Sequence, residues 1–261
     1  MRWRGCPATG RQGGRGRGGL CWGLLLLAGL IVPAVGLAEE PDWSGYAGLL
    51  QRHLTRNTVQ GIELAWVDYA GLGGDPGFKA LGQRLADFPV AQLADRREQL
   101  AFHINGYNVL AMGLVVDNHP LRSLKDLGNW LRPVWKRPAG RLGGREVTLH
   151  EVEHDILRRL GEPRIHAAIV CASLSCPDLR AEPFTAARLE EQLEDQMRRF
   201  LANPAKGLRM ENGQVRVSRI FDWFAEDFGP LEPFLRRHRP DLPPGAPIAA
   251  DLPYLWELNG N

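Results

Sequence analysis

A chain of 261 residues with 32 basic and 30 acidic side chains carries a formal charge of +2 and is long enough to bury a sizeable core. Even that small positive balance is local, because Arg2, Arg4, Arg11, Arg15 and Arg17 crowd the N-terminus, and without them 27 basic residues face 30 acidic ones. The basic balance of the full chain therefore says nothing about nucleic acid, and no nucleic-acid partner is expected.

The arginines have no acid among them before Glu39, and an apolar stretch over 20–32 follows. Pro33 then breaks the stretch, and Gly36-Leu37-Ala38 supplies small residues for cleavage, which completes the grammar of a secretory signal. The apolar run falls short of the roughly 20 residues a membrane span needs. Cys21 lies at its start, not directly after it as in a lipoprotein. Residues 1–38 are expected to be a signal peptide, cut after Ala38. Residues 39–261 are expected to form one soluble exported domain, periplasmic or secreted, with no stable membrane span after cleavage. Cys6 and Cys21 leave with the leader. The remaining pair, Cys171 and Cys176, is read first as a disulfide in an oxidising compartment.

Tyr46, Leu49, Leu50 and His53 recur at helical spacing and predict an amphipathic helix over 43–56. A Gly/Asp-rich loop follows at 71–76, then a helix over 78–88 bounded by Pro89, then the longest apolar-periodic segment, 98–116, ended by His119-Pro120. Asn105, Tyr107 and Asn108 are unusual inside that buried helix. Residues 133–147 predict a loop closing into a short hairpin. Thr148 with Glu151 is a capping box that opens a helix to about Leu160. Residues 164–171 form the most strand-like run, apolar on both faces, and predict a central strand. Thr185 is expected to cap a helix to Leu201 with its charges aligned to the dipole, and Asn212-Gly213 predicts a type I′ hairpin over 208–217. Short helices over 221–228 and 230–238 and a Pro-rich tail close the chain. The fold class is α+β, a single domain with a small central mixed sheet and a hairpin packed by several helices.

The runs 99–108 (QLAFHINGYN), 153–158 (EHDILR) and 163–173 (PRIHAAIVCAS), with Cys176-Pro177 and the closing Leu252-Pro253-Tyr254, resemble the family of domain of unknown function 547, in a bacterial exported member. The resemblance extends over about 46–259. The sequence departs from the family pattern at His103, where bacterial relatives have Trp, at Gly106, where Ala is usual, and at His150, where an acid is common. The resemblance implies a fold and a family without a reaction. Some eukaryotic relatives lack one or both cysteines, which argues against an obligatory thiol mechanism.

Cys171 could be half of a staple, a catalytic thiolate activated by a base, or a small buried side chain. His166 or His154 would be the natural base, giving His154, His166 and Cys171 as candidate catalytic residues. On a regular strand His166 and Cys171 point to opposite faces, so a dyad would require the strand to bend. Asn105 and Asn108, three apart on one helix face, either clamp neighbouring backbone or line a polar cleft as ligand-binding residues. His150-Glu151-Val152-Glu153-His154 satisfies the zinc pattern of two histidines one turn apart, but Glu153 adds a charge between the ligands and His150 sits in the first turn. No metal is expected there. Phosphate-binding, dinucleotide and serine-elbow motifs do not occur, so no cofactor is expected. Arg96-Arg97 and Arg236-Arg237 read as solvated faces. Three functions remain: a polar cleft that binds or hydrolyses an amide-like or envelope-derived ligand, a non-catalytic envelope or interaction protein with a structural disulfide, and a zinc-dependent hydrolase.

Overall fold

The computed structural model describes residues 41–261, and the expected signal peptide lies outside them. The first helix, α1 (Ser44–His53), turns directly into a hairpin, β1 (Leu54–Val59) and β2 (Ile62–Val67). This hairpin has no clear sequence pattern, because β1 is polar and exposed between Leu54 and Val59. Its turn is made by Gln60 and Gly61, both at positive φ (51° and 76°), the geometry of a type I′ turn. Helices α2 (Tyr69–Gly74) and α3 (Pro76–Asp87) follow, capped by the carboxylates of Asp68 and Asp75.

At the centre lies α4 (Arg96–Val116), started by a capping box between Asp95 and Glu98 and buried without interruption from Leu100 to Met112. A helix apolar all round needs neighbours all round, and α4 packs against α2, α3, the hairpin β3 (Pro138–Leu142)/β4 (Arg145–Thr148) and the helical segment after it. Gly106 faces Leu142: a Cβ there would lie 2.9 Å from its Cδ1, so the glycine admits the β3 strand close to the helix. His103 is buried beside it in α4, its Nδ1 2.7 Å from the Gln99 carbonyl.

Thr148 and Glu151 form the expected reciprocal box, Thr148 N–H to Glu151 Oε2 at 2.7 Å and Glu151 N–H to Thr148 Oγ1 at 3.0 Å. The segment it opens is wound as a π-helix over Glu151–Leu157 and tightens to a 3-10 turn over Arg158–Leu160. Such widened turns concentrate at functional sites. The strand expected over 164–171 is a correction: Ile165–Ala168 is a helical turn, α5, and only the residues after it extend. Asn108 supplies the reason. Its side-chain amide accepts from Val170 N–H at 2.8 Å and donates to Ala168 C=O at 3.0 Å, so a buried apolar run that would otherwise need sheet partners has them from a helix side chain.

Thr185 makes no side-chain cap, which corrects that expectation as well. A 3-10 turn at Ala186–Arg188 leads into α6 (Leu189–Ala202), and the Gln192 side chain accepts from Thr185 N–H at 2.9 Å. The hairpin at Asn212-Gly213 is present as β5 (Leu208–Glu211) and β6 (Gln214–Ser218). The Pro-rich tail adds β7 (Ile248–Leu252) parallel to β6, making the mixed three-stranded sheet. Between them run α7 (Ile220–Trp223), α8 (Ala225–Phe228) and α9 (Leu231–His238). The last residues, 254–261, thread between β2 and the 173–175 loop, with Leu174 N–H to Glu257 C=O at 2.8 Å and Asn261 N–H to Val67 C=O at 3.1 Å. That closure fixes Tyr254. The domain is α+β, its sheets small and its helices dominant.

Candidate functional site

Three of the side chains singled out in the sequence meet in one pocket of about 170 Å³: His154 from the π-helix, His166 from α5, and Cys171 just beyond it. The helical turn at Ile165–Ala168 is the bend that a regular strand would not have allowed. Asn105 and Asn108 do not line this pocket. Asn105 is bonded to both backbone groups of Phe184, donating to its C=O at 2.8 Å and accepting from its N–H at 2.9 Å, and Asn108 holds Ala168 and Val170. Both amides clamp the segments that carry the site.

Glu153, His154 and His166 give the pocket an ionisable lining, and Asp227 and Arg158 stand behind it. His166 Nε2 lies 2.7 Å from Asp227 Oδ2, and its Nδ1 faces Glu153 Oε1 at 3.9 Å. Arg158 forks onto the same Asp227 carboxylate at 2.6 and 2.9 Å. Its Nη1 is 2.8 Å from His154 Nδ1, and because a guanidinium only donates, that nitrogen accepts and the His154 proton sits on Nε2. Burial, helped by His150 and Arg158, keeps His154 below the usual histidine range. The Tyr107 hydroxyl donates to Glu153 Oε2 at 3.5 Å.

These charges pull in opposite directions. Burial pushes Glu153 up to about 7, outweighing the help of Arg158 and Tyr107, although its side chain retains 14 % exposure. Burial pushes His166 down to about 4 against the pull of Asp227. Burial works to raise Asp227 too, but the hydrogen bonds from Arg158 and His166 overcome it and hold the carboxyl below its usual range. At neutral pH a neutral His166 therefore donates Nε2–H to ionised Asp227 and turns its Nδ1 lone pair toward a carboxyl that is part protonated. The proton exchanged near neutral pH is therefore the one on Glu153.

The linkage has a measurable sign. Between pH 4.5 and about 7, folded Glu153 holds a proton that the unfolded chain has released, so its contribution to stability falls as pH rises. His166 does the opposite between about pH 4 and 6.5, where the unfolded chain binds the proton and stability rises with pH. The Glu153→Gln variant removes only the first effect. Relative to the parent it should gain stability as pH is raised from 4.5 to 8, by about 3 kcal/mol. Denaturant melts of both proteins across that range check this, and a difference independent of pH would sink the assignment of Glu153.

The wall opposite is covalent and aromatic. Cys171 and Cys176 are joined as a disulfide, with Cα atoms 6.3 Å apart, and Ala172 at φ 58° turns the chain back between them. The Tyr254 hydroxyl lies 3.3 Å from the Cys171 sulfur and 3.2 Å from that of Cys176. Bonded in this way, Cys171 is not a free thiolate. The loop model gives so short a closure about 2 kcal/mol, the stability that Cys171→Ser/Cys176→Ser should lose in a denaturant titration. Around the mouth stand Trp135, Trp223, Phe224 and Trp256, with Phe224 stacked on His166 at 4.0 Å.

His150 lies against His154, ring centres 4.3 Å apart. Glu151, the glutamate of the zinc pattern, is bonded back to Thr148, Glu153 is engaged by Tyr107 and faces His166, and among the described residues no group of three His, Cys, Asp or Glu side chains is placed to hold a metal ion. Sequence reasoning weighed Glu153 only as a charge that spoils a metal site, and it passed over Arg158, Asp227 and Tyr254. For Arg158 a signal existed in its i,i+4 spacing from His154. Asp227 is 61 residues from His166 and had none.

Residues 90–201 match the model of a family described as protein of unknown function, DUF547. It is this segment that is similar to the family. The matched segment carries α4, the π-helix, His166 and the disulfide, while Asp227, Tyr254 and the mouth residues Trp223 and Trp256 lie beyond it. No curated protein and no solved structure matches the chain.

Proposed function

We propose that this protein is an exported enzyme that hydrolyses an amide-like, envelope-derived ligand, with Glu153 handling the proton and His166 held beside it. The observation that carries the reading is the placement of Glu153 and His166 in a pocket with an aromatic lining, backed by Asp227 and Arg158, which lie outside the lining and hold the His166 ring. Arg158 fixes Asp227, Asp227 fixes the His166 ring and tautomer, and Glu153 is left with a proton affinity suited to neutral pH.

In this reading a water on the pocket floor loses its proton to ionised Glu153 as its oxygen bonds to the amide carbon. Tyr254 is pushed above the ordinary tyrosine value by burial, so it stays protonated and can donate to the carbonyl oxygen as it becomes negative, while the Tyr107 hydroxyl stays on Glu153. The proton taken up by Glu153 then passes to the departing nitrogen as the C–N bond breaks, which returns the carboxylate to its starting state. The leader at 1–38 and the disulfide both support an exported location.

The test is cleavage of a panel of envelope-derived peptides and simple amides, followed by mass spectrometry. Glu153→Gln should lower turnover by about a hundredfold or more, and kcat/KM should rise with pH through about 7 as Glu153 ionises. Full turnover in Glu153→Gln would overturn the assignment. The disulfide also favours a second reading, a non-catalytic envelope protein stapled at Cys171–Cys176. In that case no member of the panel is cleaved, whereas binding to the pocket survives. The location has its own check: the intact mass of the native protein should begin at Glu39, and a product retaining 20–32 would contradict it.

A further inference from the structure

Away from the pocket floor, the loop between α4 and β3 presents its most apolar residues to solvent. Trp130 is 88 % exposed and Leu131 69 %, far more than the next exposed apolar side chains, Met210 at 46 % and Trp223 at 43 %. The loop is built to hold them there. Asn129 N–H donates to Arg132 C=O at 3.1 Å, and the Asn129 side-chain oxygen accepts from Leu131 N–H at 3.0 Å and Arg132 N–H at 2.9 Å. At its neck Gly128 approaches the Val134 nitrogen so closely that a Cβ would come within 2.4 Å of it. Arg137 bonds back to the Leu127 carbonyl and closes the base.

The charges around this tip are almost all basic. Arg122, Lys125, Arg132, Lys136 and Arg137 are exposed and gathered within sixteen residues, and none forms an ion pair with a described residue. The single acid in 122–137 is Asp126, whose carboxylate accepts from Ser123 N–H at 3.1 Å. A protruding apolar tip inside an unpaired cationic collar matches one kind of surface: tryptophan favours the headgroup level of a bilayer, and exposed lysines and arginines are drawn to anionic lipid. Single-stranded nucleic acid would call for successive aromatic platforms, which Leu131 does not provide.

We propose that Trp130 and Leu131, with the basic side chains around them, dock this protein peripherally on an anionic phospholipid surface. No helix among the described residues is long and apolar enough to cross a membrane. The same face reaches the pocket mouth, because Lys125 Nζ lies 4.5 Å from the Trp256 ring centre and Trp135 stands 6.2 Å from it. Docking would turn the mouth toward the lipid. The proposal does not depend on the hydrolase reading.

Co-sedimentation of the purified protein with vesicles tests it. Vesicles of phosphatidylcholine containing about one-third phosphatidylglycerol should bind the protein at least roughly tenfold better than phosphatidylcholine alone, and salt should weaken that binding steeply. Trp130→Ala/Leu131→Ala should lower partitioning about tenfold, and Arg132→Glu/Lys136→Glu should remove the preference for anionic lipid. All four positions are exposed, so an unchanged melting temperature will show that the variants fold; the leader is the same in every variant and cannot account for differences among them. Equal binding to both vesicle types, no binding, or partitioning unaffected by the tip variant would each overturn the proposal. Capture of a single-stranded oligonucleotide without vesicle binding would also overturn it.

Discussion

Arg164→Ala should cost about 3 to 5 kcal/mol, the range for stranding a buried charge. The side chain keeps 9 % exposure and its partner Glu162 10 %. It reaches Glu162 at 2.7 and 2.8 Å and Glu190, at the start of α6, at 2.7 and 2.8 Å. Removing the guanidinium leaves buried Glu162 with only the half-exposed Arg96 at 4.0 Å and unties α6 from the turn that begins α5, the turn on which His166 sits. For a domain of this size the melting temperature should fall by roughly 10 °C. Arg188→Ala is the control. Its pairs with Glu182 and Glu191 are exposed, and exposed pairs contribute about 1 kcal/mol or less. Calorimetry of the two variants side by side checks the contrast, and a loss below about 1 kcal/mol for Arg164→Ala would mean that water reaches Glu162.

The second large effect belongs to the clamps. Asn105→Leu fits the volume of the site but removes the partners of Phe184 N–H and C=O together, both of them buried. Each stranded backbone group costs about 1 to 3 kcal/mol, and the leucine recovers part of this by burial, so a net loss of about 2 to 4 kcal/mol is expected. Asn108→Leu should behave alike, with one difference. Its partners Ala168 and Val170 lie between His166 and Cys171, so that variant should also disturb the pocket. Urea melts give the stabilities, and Trp fluorescence quenching at the mouth separates the two variants. A neutral Asn105→Leu would show a hydrated site and would return Asn105 to the candidates for ligand binding.

What could be read along the chain was what short-range chemistry controls. Thr148 and Glu151 form their reciprocal box because both partners lie within one turn. Asn212 and Gly213 make the hairpin turn because those two residue types accept positive φ at little cost. The apolar run of α4 announced the central helix, and the cysteine spacing and residue types announced the pair that forms the disulfide. Where a local signal was weak or absent, the reading stopped. The polar face of β1 hid the first hairpin, and β7 was taken for tail because its pairing with β6 bridges more than thirty residues of intervening chain.

The site is where tertiary structure decided. By composition alone 164–171 is a strand, because apolar residues on both faces are what a central strand needs. Two contacts from elsewhere in the chain change that outcome: Arg164 is held by Glu190 of α6, and Asn108 of α4 satisfies the backbone of Ala168 and Val170. Once Ile165–Ala168 is helical, His166 and Cys171 border one pocket, and Asp227, remote in sequence, is brought to His166 by the packing of Phe224 and Phe228 against the imidazole. The sequence alone determined which side chains were available for chemistry. Burial, which raises Glu153 and lowers His166, determined which of them can exchange a proton near neutral pH, because desolvation is a property of surroundings that only the folded chain assembles.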